Sequence, residues 1–204
     1  MAAATFAQLR VIDLSNIDFD ALRAAFEKGR KNTEAEKLKG QIASKLTKMV
    51  QLNRRRIDYL ERFQALIDEY NAGSVNIESF FEKLLQFTQE LNEEERRHIS
   101  EGLTEEELAI FDLLTKPEPR LSKVEEQDVK KVARELLATL KAEKLVLDWK
   151  KKPDARAGVW VAIEVYLEGL PEEPYPIEVY ASKCSSVYQH VYDAYQDAEH
   201  SVDA

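Results

Sequence analysis

A single cysteine, Cys184, leaves no internal disulfide to form, and with three scattered histidines, His98, His190 and His200, it offers none of the spacings that bind zinc. A secreted disulfide scaffold and a zinc domain are both set aside on that count. Only six glycines and six prolines occur among 204 residues, while Leu, Glu, Lys and Ala are abundant. Such residues lose little rotamer freedom in a helix, so the composition predicts a mainly α protein rather than a sheet protein. No apolar run approaches the roughly 20 residues of a membrane helix, and the start, Met1-Ala-Ala-Ala-Thr-Phe6, has no basic region followed by an apolar core. Cytoplasm is therefore the expected location, with no membrane partner.

What the chain does have is charge, unevenly placed. The net charge is −9. Yet from Lys28 to Arg56 ten Lys or Arg stand against two Glu, so one segment is electrostatically unlike its host. Lys37, Lys39, Lys45, Lys48, Arg54, Arg55 and Arg56 are candidate contacts to a phosphate backbone or a partner. The plainer reading is a solvated helix face, because the chain is acidic as a whole and the segment lacks aromatic residues for base stacking.

Periodicity and capping divide the chain into six to eight helices joined by Pro- and Gly-rich connections, an irregular all-α bundle. A short β-compatible run at Val11–Leu14 precedes a helix that Ser15 or Asp18 caps, with Leu22 and Phe26 inward and Gly29 at its end. Thr33 with Glu36 reads as a capping box opening a helix whose Leu38, Ile42, Leu46 and Met49 share a face. The register slips at Leu52–Arg54, which predicts a kink or cap at Asn53 and a further helix (Ile57, Leu60, Phe63, Ile67, Tyr70) ending before Gly73. Asn76 caps a helix burying Phe80, Leu84, Phe87 and Leu91, whose polar continuation frays or ends by Gly102. Thr104 with Glu107, and Ser122 with Glu125, are two more capping boxes, opening helices at Glu105–Leu114 and Val124–Leu140. Between them Lys116-Pro-Glu-Pro-Arg120 is the best internal boundary. It gives either an N-terminal helical region, residues 1–116, that includes the basic helix 33–52, and a C-terminal helical region, residues 117–204, or one continuous domain. Pro153 suits the first turn of a helix through Leu167, and a final helix runs from Ile177 to about Tyr195. Its Tyr180, Cys184, Val187, Val191 and Tyr195 recur at three and four, widened by Tyr188 and Tyr192. That stripe belongs to the core on the simpler view; Tyr188, Val191, Tyr192 and Tyr195 are the candidate docking residues on the other.

Catalytic constellations are few. Leu145-Val-Leu-Asp-Trp-Lys150 places Asp148 two residues before Lys150, as metal-dependent nucleases place an acid and a lysine. That chemistry needs a second acid on an adjacent strand, and the chain offers no such strand. Leu145, Val146, Leu147 and Trp149 are instead expected to pack inward with Asp148 and the lysines solvated. Gly40-Gln-Ile-Ala-Ser-Lys-Leu-Thr47 lacks the second glycine and the Lys-Ser/Thr pair of a phosphate loop. Cys184 and His190 are six apart on one helix and read as a buried thiol and a surface imidazole. No catalytic, cofactor or metal residue is assigned.

Several stretches together resemble one family: Val11–Phe19, Asn32–Lys39, Arg56–Ser74, Leu103–Pro117, Val132–Lys152 and Ser186–Tyr195. They are similar to the C-terminal helical region of the restriction (R) subunit of type I restriction–modification enzymes, type I site-specific deoxyribonucleases, over roughly residues 9–195. The resemblance implies a parent subunit with a nuclease domain, ATP-driven motor domains and a helical end that attaches to the methyltransferase and specificity subunits. ATP and Mg²⁺ are implied for that parent, not for this chain, which is not expected to be an enzyme on its own. The start at Met1 then reads as a boundary placed after the motor, or as a stand-alone fragment. Double-stranded DNA is a further expected partner. Two other classes use the same residues: a self-contained metal nuclease with Asp148 and Lys150, and a helical adaptor without a nucleic-acid role.

Overall fold

The computed structural model describes residues 18–195; the run at Val11–Leu14, the alternative cap Ser15 and His200 lie outside them. Within them are eight α-helices and no strand: α1 Phe19–Lys28, α2 Lys31–Leu52, α3 Ile57–Asn71, α4 Ile77–Glu101, α5 Glu105–Thr115, α6 Lys123–Thr139, α7 Pro153–Leu167 and α8 Ile177–Ala194. The all-α class expected from composition is the observed one.

Local chemistry sets most of the boundaries. Asp18 caps α1 by accepting from the backbone N–H groups of Asp20 and Ala21, both at 3.0 Å. Asn76 accepts from Ser79 N at 2.8 Å and starts α4. Both capping boxes form in full: Thr104 and Ser122 each accept from the third residue of the helix, whose glutamate reaches back to the cap N–H. Helices α3 and α4 end on Gly73 (φ 74°) and Gly102 (φ 66°). In each case the next residue's N–H turns back to a carbonyl five residues earlier, the left-handed stop that suits glycine.

Three expectations need correcting. Helix α2 begins at Lys31, so Thr33 lies inside its first turn rather than capping it. Helix α6 passes at Leu140–Lys144 into a π-helical turn that shifts the register before the next loop. In that loop Trp149 is fully buried, but Val146 and Leu147 are 48% and 52% exposed. Asp148 takes a positive φ of 58°, and this tight turn presents Trp149 to the core while turning the two aliphatic side chains outward.

The described residues divide into two compact units, 18–49 with 58–96, and 50–57 with 97–195. The Lys116–Arg120 loop lies within the second. The first unit is cored by Phe26, Leu38, Ile42, Leu46, Phe63, Phe80, Phe81, Leu84 and Leu91. Flat ring stacking fills it: Phe26 on Phe81 at 3.9 Å and Tyr70 on Phe80 at 4.2 Å between centroids. The second unit buries Leu108, Ile110, Leu114, Val129, Leu136, Trp149, Ile163, Val187 and Val191. Each such side chain stabilises the fold by about 1.5–3 kcal/mol relative to exposure.

Candidate functional site

Most of the seven basic candidates are already engaged by acids. Lys37 and Lys39 pair with Glu34 and Glu36, one turn away on α2, at 2.7 and 2.6 Å. Lys45 is drawn inward, its side chain 11% exposed, donating to Asn92 Oδ1 at 2.7 Å and Glu95 Oε2 at 2.6 Å. Lys48 is exposed.

Arg54, Arg55 and Arg56 form a 3-10 turn capped by Asn53, whose Oδ1 accepts from Arg55 N at 3.0 Å. Because a 3-10 turn advances each side chain by about a third of a revolution, three adjacent arginines leave in three directions. Arg54 is exposed and pairs with Asp193 of α8. Arg55 is half-buried. Arg56 is 2% exposed and pairs with Glu105 at the start of α5 at 2.9 Å.

Beneath this turn lies a buried polar network. Asp112, fully buried on α5, accepts from Asn53 Nδ2 at 2.7 Å and from Arg97, and its other oxygen is 3.2 Å from Lys116 Nζ. Glu105 binds His98 Nδ1 at 3.0 Å besides Arg56. Asp112 and Arg56 are the fully buried charges of this network, and each has an opposite charge beside it, since an unpaired charge there would be very costly. Sequence reasoning singles out none of Asp112, Glu105 and Arg97. The available signal is Asp112 itself, a lone acid in the apolar run Leu108–Leu114.

On α8 the aromatic stripe splits. Val187 and Val191 are fully buried in the second unit's core. Tyr188 stands edge-on to Trp160 at 5.3 Å, and Tyr192, 37% exposed, edge-on to Trp149 at 5.8 Å. Tyr195 is half-buried, and burial followed by nearby Glu106 raises its phenol above the usual range. Tyr180 donates to Glu164 O at 2.8 Å, and burial above all raises it to about 12. Cys184 is buried as expected, its thiol pushed up by desolvation.

His190 is not at the surface: it is 3% exposed, and its Nδ1 has no hydrogen-bond partner. Helical spacing places residue 190 beside Val187 and Val191, so it follows them inward. Desolvation, then the Arg54 charge, lowers its basicity. Lys183, one turn before Val187, is buried too, donating to Leu113 O at 3.0 Å and Lys116 O at 3.1 Å at the end of α5. Desolvation, then Arg55, brings it down to about 8.

Asp148 and Lys150 do not come together. The Asp148 carboxylate binds Lys151 Nζ at 2.7 Å, which lowers its pKa, while Lys150 Nζ sits 5.2 Å from the Tyr192 ring. Gly40 lies within α2. Among the described residues no three His, Cys, Asp or Glu side chains gather as a metal would require, and no helix is long and apolar enough to cross a membrane.

Residues 4–197 match the family described as type I restriction enzyme HindI endonuclease subunit-like, C-terminal, and the chain belongs to that family. It is also 27% identical over 116 residues to a protein of Methanocaldococcus jannaschii assigned as the type I restriction enzyme MjaIXP endonuclease subunit. The matched stretch is 56% of this chain and 11% of that relative. No solved structure matches.

Proposed function

We propose that this chain is the non-catalytic C-terminal helical module of a type I restriction enzyme's endonuclease subunit. In this reading it holds the subunit to the methyltransferase and specificity subunits of the same system and lies against duplex DNA. The observation that carries it is the family match across residues 4–197, a region found at the end of a much longer DNA-cutting subunit. ATP and Mg²⁺ then act elsewhere in that subunit.

Surface chemistry supports the assembly role. Ala157, Val161 and Val165 recur every four residues on the outer side of α7, and the two valines are 54% and 55% exposed. Helices that are apolar on both sides generally have a cover on both. Of the seven basic candidates, Lys37, Lys48 and Arg54 are exposed and stay available to the DNA reading, whereas Lys45 and Arg56 are committed to internal pairs.

The test is co-elution of the chain with its methyltransferase core. Val161→Glu with Val165→Lys should abolish co-elution while leaving the circular dichroism melt unchanged. Wild-type protein that never co-elutes sinks the assembly reading. Duplex affinity that does not fall with rising salt sinks the DNA reading.

A further inference from the structure

Between α6 and α7 the chain makes a turn that the fold needs for only part of its apolar content. Trp149 is fully buried and Leu145 packs against the second unit's core, so these two anchor the turn. Val146 and Leu147 are as apolar, yet about half of each lies in solvent. Single exposed aliphatics are ordinary, whereas two adjacent ones beside an exposed aromatic ring form a patch. That ring is Tyr192, edge-on to Trp149 and 5.2 Å from Lys150 Nζ.

The turn is also tied down. Lys152 Nζ donates to Leu147 O at 3.1 Å, Arg156 Nη1 to Lys150 O at 2.6 Å, and Lys151 Nζ to the Asp148 carboxylate at 2.7 Å. A surface fixed in shape loses little conformational freedom when something binds it. Its charge runs against that of the host: from Lys144 to Arg156 five Lys or Arg stand against two Asp, in a protein of net charge −9. Lys150 itself lies against the Trp149 and Tyr192 rings and pairs with no acid among the described residues.

We infer that this turn docks a protein partner, whose apolar pocket receives Val146, Leu147 and Tyr192 and whose flanking carboxylate meets Lys150. The inference rests on the assembly half of the proposed function and adds to the outer side of α7 a second contact of different chemistry. Apolar side chains supply the buried centre of such a contact, and the charge at its edge sets orientation and excludes wrong partners. A nucleic acid suits the surface less well, because two aliphatic side chains offer no flat face on which a base stacks. A second copy joined through the same turn would set one cluster of lysines against another.

The experiment measures binding of the full chain to its methyltransferase core by sedimentation velocity, beside thermal melts. Val146→Ser with Leu147→Ser should weaken the complex about tenfold and leave the melt unchanged. Lys150→Glu should weaken it too and lessen its dependence on salt, while Lys150→Arg keeps both. If the core binds and these variants behave as wild type, the turn is no contact and this inference falls while the assembly reading stands. A lowered melting temperature in the serine variant would show that the two side chains serve the fold, and also overturns it. Should the wild type form dimers that the serine variant does not, a second copy is the occupant; should Lys150→Glu weaken binding of an oligothymidine and not of the core, nucleic acid is. Either result overturns the protein assignment. If the wild type never binds the core, the assembly reading and this one fall together.

Discussion

Asp112 gathers Asn53, Arg97 and Lys116 around a carboxylate that sees no solvent. Replacing it by alanine removes the acceptor that Asn53 and Arg97 share, while the half-exposed Lys116 can turn to solvent. Asp112→Ala should therefore destabilise the protein by about 3–5 kcal/mol, read from urea unfolding. Lys183 gives a prediction of the opposite character. Its folded pKa of about 8 lies below the ordinary 10.5, so between these values the unfolded chain binds more protons and stability rises with pH. Cys184 and Tyr180, whose folded values are raised, act the other way once the unfolded thiol and then the phenol ionise. Melting temperature should accordingly climb from about pH 8 to about pH 9, level off where the thiol offsets the lysine, and fall once the phenols of the unfolded chain ionise near pH 10, and Lys183→Met should remove the climb. Neither residue can be placed from the sequence. Asp112 occupies a core position whose partners include groups 15 and 59 residues away, and Lys183 follows the turn of α8 inward beside Cys184 rather than its own polarity.

Elements are far more legible than sites, because caps and stops act within four residues of themselves. Asp18, Asn53, Asn76, Thr104 and Ser122 all do what their positions in the sequence suggest. Thr104→Ala and Ser122→Ala should each cost about 1 kcal/mol. Gly73→Ala should cost about 1–2 kcal/mol through its left-handed backbone and not through crowding, since a Cβ there meets nothing within 4 Å. The π-helical turn at Leu140–Lys144 is not legible, because a register shift of one residue leaves the apolar spacing of the flanks intact. For α8, Val187→Ala and Val191→Ala should each lower stability by about 1–3 kcal/mol, both side chains being fully buried in the second unit. Unchanged melting would show that the packing around α8 is not what holds that unit.

At the scale of the molecule, the net charge of −9 and the basic segment from Lys28 to Arg56 pull in different directions. The sequence shows the asymmetry but not its use. Acids at Glu34, Glu36, Glu95, Asp193 and Glu105 each answer a particular cation. DNA binding by the whole chain should thus be weak and strongly salt-dependent, with a slope set by two or three phosphates rather than the seven that a count of cations suggests. A slope near seven, measured over a salt series, would mean that these pairs open on binding. Incubation of the chain alone with duplex and Mg²⁺ should yield no cleavage; robust cutting lost in Asp148→Ala would return the nuclease reading to the front.

The solitary thiol gives the protein a reporter of its own. Cys184 is 2% exposed and packs in the second unit's core, and burial holds it in the unreactive protonated form. A thiol-specific dye can therefore react only when that unit opens, and the chain has no other sulfhydryl to confuse the signal. Labelling rates followed with time measure how often the second unit opens under native conditions. A partner that clasps it would announce itself by slowing the dye, without any residue having been changed.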